Sequence, residues 1–230
     1  MKTERVTIST SDGSFGAYVA RPDGDAKGPA VVVLQEIFGI NKTMREVADG
    51  LAGQGYVAIC PDLFWRIEPG IDITDKQMEE AFKLFGQFDV AKGLGDIQAT
   101  IDHIRKDPQV NGKVGAVGYC LGGLLAYLTA LRTNIDAAVG YYGVGIETQL
   151  DDAATLKTPL MLHIAEEDGF VPKAAQDQVK AALGKLPNVE IHSYPGRDHA
   201  FTRLGGDHYH AADAATAGAR TLAFFKKTIG

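Results

Sequence analysis

Gly118-Tyr119-Cys120-Leu121-Gly122-Gly123 sets a thiol inside a Gly-x-nucleophile-x-Gly frame. That spacing turns a chain sharply from strand to helix and pushes the middle side chain outward, where it can attack a substrate. Val114 and Val117 in the preceding run suit a buried strand, and the Leu and Ala spacing of Leu121 to Arg132 suits a helix. Gly118 and Gly122 omit side chains where the turn brings backbone close to backbone. The positive end of the new helix then lies beside the Cys120 sulfur and favours its thiolate, the nucleophilic form. Cys60 follows Tyr56-Val57-Ala58-Ile59 without any glycine frame and is read as a small core residue.

A thiol nucleophile needs a base to take its proton and a third group to hold that base in the right tautomer. Hydrolases with this elbow carry the three in the order nucleophile, acid, histidine. His199, in Gly196-Arg197-Asp198-His199-Ala200-Phe201, follows a strand ending at Tyr194 and is the expected base. Asp168, in the loop Ala165 to Pro172 after the strand Leu160 to Ile164, is the expected acid. Glu36 ends another buried strand in Leu34-Gln35-Glu36-Ile37-Phe38-Gly39, which places a carboxylate at the same sheet edge. The backbone N–H groups of Ile37 and Leu121 are the expected donors to a tetrahedral oxyanion. His163 and His192 fall in strand patterns and His103 in a helix, as structural residues would. His208-Tyr209-His210 has i, i+2 spacing that splays two rings apart on a helix, with no third ligand evident, so a solvated helix start is expected and no metal.

The elements that must position these residues alternate. Val6-Thr7-Ile8 and Gly16 to Ala20 flank Ser11-Asp12-Gly13 as an antiparallel hairpin. Strands are then expected at Ala30–Leu34, Tyr56–Cys60, Val114–Val117, Ile135–Tyr141, Leu160–Ile164 and Val189–Tyr194. Helices are expected at Thr43–Gly53, Asp75–Phe85, Ala91–Arg105, Leu121–Arg132, Ala174–Leu183 and Asp207–Lys226. Leu94, Ile97, Ile101 and Ile104 form one apolar stripe on the third of these. Strands that alternate with helices predict an α/β fold, a three-layer sandwich around a mostly parallel sheet with an antiparallel N-terminal edge. Ligands of such sheets bind at the carboxyl ends of the strands, where Cys120 is expected.

With 230 residues, 45% of them apolar, the chain can bury a core without metal or disulfides, and a single domain over 1–230 is expected. Two cysteines, one at a reactive turn, suit a reducing compartment. No apolar leader precedes the first strand and no run of 18 apolar residues occurs, so a cytoplasmic protein with no membrane partner is expected. A net charge of −6 argues against nucleic acid, which requires a basic face. The expected partner is a small molecule, with no cofactor, on a monomer or weak homo-oligomer.

Across nearly its whole length the chain resembles the dienelactone hydrolase family of the α/β-hydrolase fold. The resemblance rests on Gln35 to Gly39, Cys60-Pro61-Asp62-Leu63, Gly118 to Gly123, Tyr141-Tyr142-Gly143-Val144-Gly145, Asp168 with Val171-Pro172, and His199 with Phe201 and Arg203. It implies a Cys120–His199–Asp168 triad that opens an enol lactone of the 4-carboxymethylenebut-2-en-4-olide type to a keto acid such as maleylacetate. It further implies that Glu36 keeps the resting thiol protonated until substrate binds, and that Arg203 pairs with a substrate carboxylate. A second carboxylate-binding arginine of the family falls on Met78, which cannot form an ion pair. That departure points to an alternative substrate, a small uncharged aryl or alkyl ester, in a pocket walled by Phe38, Trp65, Phe82 and Phe85 with Tyr142. A different class of function, a non-catalytic or redox-sensing protein built on the same fold, remains the rival.

Overall fold

Polar and apolar residues alternate near the N-terminus and then give way to continuous apolar runs, and the backbone follows that change. The computed structural model describes residues 1–24 and 26–230. Strands β1 (Lys2–Thr10) and β2 (Gly13–Arg21) pair antiparallel, with Val6 opposite Ala17 and Ile8 opposite Phe15. Both run well beyond the expected cores of the hairpin. Most of β1 is exposed, and an edge strand of that kind carries little apolar signal.

The chain divides into two compact units, Met1–Ala116 and Val117–Gly230. In the first, β3 (Gly28–Leu34) and β4 (Val57–Pro61) pair parallel, and β4 pairs antiparallel with β2. With the start of β5 (Val110–Tyr119), the strand order of this unit is β1-β2-β4-β3-β5. Helices α1 (Lys42–Gly53), α2 (Met78–Gln87) and α3 (Val90–Arg105) complete it. Asn41 caps α1 by accepting from Met44 N, as a helix with unsatisfied first-turn donors requires. The expected helix from Asp75 is instead a 3-10 turn, Asp75–Gln77, capped by Thr74, before α2 begins. On α3 the buried stripe includes Gly93, Asp96, Ile97, Ile101 and Ile104, while Leu94 is only partly buried. Gly93 makes room for the Phe88 ring, whose tip would lie 2.4 Å from an added Cβ. Asp96 is tolerated because Trp65 Nε1 donates to it at 3.0 Å and Arg66 pairs with it.

The second unit takes up the end of β5 and continues through α4 (Leu121–Arg132), β6 (Ala137–Tyr141), β7 (Leu160–Ala165), α5 (Lys173–Leu183), β8 (Val189–Tyr194) and α6 (Ala211–Thr228). Strands β6, β7 and β8 are parallel neighbours. Among the described residues, the eight strands and six α-helices fit the α/β-hydrolase arrangement, mostly parallel with one antiparallel edge. Among the described residues no helix is long and apolar enough to cross a membrane.

A buried polar chain ties α6 to the strand ends of the second unit. Thr221 Oγ1 lies 2.5 Å from the Tyr141 hydroxyl and 3.1 Å from His163 Nε2. His163 Nδ1 meets the Tyr194 hydroxyl at 2.8 Å, and Arg220 Nη1 donates to that hydroxyl at 3.2 Å. Burial, then the charge of its neighbours, pushes the His163 imidazole down to about 3, so it is neutral near pH 7. His163 is thus structural, as its place in a strand suggests.

Candidate functional site

Cys120 stands between β5 and α4 with φ 56° and ψ −115°, a positive-φ conformation that L-residues rarely adopt. Its own N–H donates to Tyr141 O at 3.1 Å, and its carbonyl accepts from Gly123 N at 2.9 Å. The glycines make this possible. A Cβ on Gly118 would lie 1.9 Å from Gly122 O, and one on Gly123 would lie 2.5 Å from Tyr141 O. Leu121, the first residue of α4, is fully buried, and its N–H belongs to the helical turn that lacks intrahelical acceptors.

His199 reaches this elbow from the loop after β8. Its Nδ1 lies 2.9 Å from Asp168 Oδ2 and 3.1 Å from Oδ1, so the acid accepts the Nδ1 proton and leaves Nε2 for sulfur. Burial disfavours the imidazolium. Hydrogen bonds to Asp168 and Cys120, with the charges of both, outweigh that cost and push His199 up to about 10. The Asp168 carboxylate also accepts from Phe170 N at 2.9 Å. Gln176 of α5 braces the acid loop by donating to Glu166 O and Val171 O.

Two aromatic rings clamp the imidazole edge to face, Tyr142 at 5.0 Å and Phe170 at 4.9 Å. The Tyr142 hydroxyl is 2.8 Å from Thr202 Oγ1. Tyr142 (φ 37°) and Ala200 (φ 62°) also have positive φ, and these three are the only non-glycine residues with positive φ among those described. Backbone strain in this unit therefore gathers around one histidine.

The family model for the dienelactone hydrolase family matches residues 15–229. The chain belongs to that family. Among its relatives, a "Putative carboxymethylenebutenolidase" of Azospirillum brasilense is 47% identical over 225 residues, covering 95% of this chain and 96% of that protein. A carboxymethylenebutenolidase of Pseudomonas putida is 43% identical over 228 residues, covering 97% and 96%. The crystal structure of a "Putative Dienelactone Hydrolase" from Klebsiella pneumoniae superposes with a TM-score of 0.86 at 28% identity, covering 98% of both chains.

In this dienelactone hydrolase family member, the second unit brings together Cys120, Asp168, His199 and Tyr142. Arg203 follows in the same loop as His199, partly buried, with its N–H on Ala200 O at 2.9 Å. The remaining candidates belong to the first unit. Glu36 and Ile37 are buried just beyond β3, in a loop held by Gly39, whose φ of 75° and closeness to Ile71 O exclude any larger residue. Phe38 is buried in the same loop. Trp65 stacks on Phe15 at 5.9 Å and carries the Arg66 guanidinium 4.2 Å above its ring. Met78 opens α2 partly buried, and Phe82 and Phe85 are exposed on the helix while Ala81 and Leu84 face the core.

The loop beyond His199 departs from expectation. Residues 207–210 do not start α6: turns at Arg203, Gly206 and Tyr209 and the bond from His210 N to Phe201 O close a compact loop, and His210 caps the helix that starts at Ala211. His208 and His210 accordingly have separate duties. His208 Nδ1 lies 3.0 Å from His199 O, and His210 Nδ1 accepts from Asp213 N at 3.4 Å. Among the described residues no group of three His, Cys, Asp or Glu could hold a metal. Sequence reasoning also passed over Thr202 and Phe170, for which an aromatic or hydroxyl residue close to a triad position was the available signal.

Cys60 and Cys120 are both free thiols. Cys60 is wholly buried, and burial followed by the nearby Asp62 charge pushes its thiol far up, which suits an inert core residue.

Proposed function

We propose that this protein is a carboxylic ester hydrolase in which Cys120, His199 and Asp168 act as nucleophile, base and orienting acid on an enol lactone of the dienelactone type. The observation that carries the reading is the linked pair of hydrogen bonds on one imidazole, to Asp168 and to Cys120, at a strained elbow. The names of the carboxymethylenebutenolidase relatives support the substrate class.

On this reading the Cys120 proton passes to His199 Nε2 as sulfur attacks the lactone carbonyl and a carbon–sulfur bond forms. The oxyanion is held by the N–H of Leu121 and, as the family resemblance assigns, that of Ile37. Collapse breaks the ring carbon–oxygen bond, the enolate so formed takes the proton from His199 and becomes a ketone still held as the thioester, and water assisted by His199 cleaves that thioester to release the keto acid. The elevated basicity of His199 suits the first step, since it favours imidazolium beside sulfur. Glu36 is assigned by resemblance the regulation of the resting thiol, and Arg203 the substrate carboxylate.

Met78 favours a second substrate reading, a small uncharged ester, because a thioether offers no charge to a carboxylate. Rapid mixing with a chromogenic aryl ester tests the class: a burst equal to the enzyme concentration and a thioester on Cys120 are expected. Undiminished turnover in Cys120→Ala would overturn it, as would the absence of any acylation, which the redox and non-catalytic alternatives require.

A further inference from the structure

Asp168 and His199 sit on separate loops, 31 residues apart in the chain, and their 2.9 Å contact needs those loops to keep a fixed spacing. Two hydrogen bonds cross between the loops, one on each side of Asp168. Glu167 N donates to Arg197 O at 2.8 Å, and Gly169 N donates to Asp198 Oδ1 at 2.9 Å. Both acceptors come from the two residues immediately before His199. The acid is thus suspended between rungs that the histidine loop supplies.

The first rung is backbone to backbone. The second depends on one side chain, and that side chain has no part in the proposed chemistry. Asp198 Oδ1 also accepts from His199 N at 2.6 Å, so a single oxygen gathers the amides that follow Asp168 and Asp198. From the far end of the loop His208 closes the arrangement, with Nδ1 on His199 O at 3.0 Å and Nε2 3.6 Å from Asp198 Oδ2. The Asp198 carboxyl is held below the usual range: partial burial opposes ionisation, and the Gly169 and His199 amides, with charge from His208 and His199, prevail.

We propose that Asp198 is a positioning residue, whose Oδ1 bridges the acid and histidine loops and sets the Asp168–His199 hydrogen bond. The inference rests on the triad reading above. Small displacements in a reacting constellation cost far more rate than stability, so the effect should appear mainly in kcat.

The test compares the parent protein with Asp198→Ala and Asp198→Asn, by ester hydrolysis and by the downfield Nδ1 proton resonance of His199 in nitrogen-15-labelled protein. Removing the oxygen should lower kcat on the order of tenfold to a hundredfold with KM little changed, and should shift or broaden the resonance. Asparagine keeps an acceptor at Oδ1 and should restore most of both. Unchanged kcat and resonance in the alanine variant would overturn the proposal, and so would an asparagine variant as impaired as alanine. Should the alanine variant not fold, exchange of the Gly169 amide in the parent decides: slow exchange is expected, and exchange at the rate of an open loop would overturn it. A parent protein with no esterase activity would count against the hydrolase reading, while the resonance and the amide exchange still judge Asp198.

Discussion

Asp168 Oδ2 lies 2.9 Å from His199 Nδ1, with both side chains almost wholly shielded from water, at 1% and 6% exposure. In that setting the carboxylate selects a single tautomer, and an amide in its place can present N–H to the ring and select the other. Asp168→Asn is therefore expected to lose kcat on the order of 10³-fold to 10⁴-fold. Stopped-flow measurement of the acylation rate checks this, and a loss confined to KM would contradict it.

Two of the perturbed histidines, His199 and His163, bias stability with pH in opposite senses. His199 is raised to about 10, so its stabilising contribution is complete below the unfolded value of 6.5 and is lost as pH rises through 10. His163 is lowered to about 3, so below 6.5 the unfolded chain binds a proton that the folded one refuses, and stability falls with pH. At pH 5 the His163 penalty should be about 2 kcal/mol. Urea unfolding at several pH values should show a shallower acid slope in His163→Gln and a shallower alkaline slope in His199→Gln.

Glycines at the elbow are predicted to be irreplaceable, and those on open helix faces improvable. Gly118→Ala forces a methyl to 1.9 Å from Gly122 O, and Gly123→Ala forces one to 2.5 Å from Tyr141 O, against backbone that cannot yield. Each should cost about 3 kcal/mol or more and abolish acylation. Gly95 on α3 is exposed and has nothing within 4 Å of an added Cβ, so Gly95→Ala should stabilise by about 0.5 to 1 kcal/mol. Thermal melts of the three variants separate the cases.

Met78 provides a specificity test. Met78→Arg should raise the ratio of kcat/KM for a carboxylated enol lactone over that for an uncharged aryl ester by about tenfold, the scale of one charge-assisted hydrogen bond. An unchanged ratio would remove Met78 from substrate recognition.

Local signals carried much of this architecture and long-range ones did not. The bounds Leu121–Arg132 and Val189–Tyr194 were legible to the residue, because glycine frames, apolar periodicity and strand composition act within a few positions. The start of α6 was not, since a loop closing on Phe201 O and a His210 cap override the helical composition of residues 207–210. Leu94 was expected on the buried stripe of α3, but Trp65, Arg66 and Phe88 give the buried places to Asp96 and Gly93 instead. Within the candidate site, the elbow glycines marked Cys120, and chain order marked Asp168 and His199. Asp198 had no comparable mark, because the amide it holds belongs to Gly169, 29 residues earlier.

The polar chain through Thr221 has a consequence for how the protein is made. Until α6 docks, the Tyr141 hydroxyl and the His163 imidazole lack the Thr221 oxygen that joins them. A nascent chain halted before Thr221 must leave those groups hydrated on β6 and β7, the first of which neighbours the strand that delivers the thiol. Consolidation of the second unit therefore waits on the docking of α6. Protease sensitivity of stalled translation products should drop only once α6 has emerged.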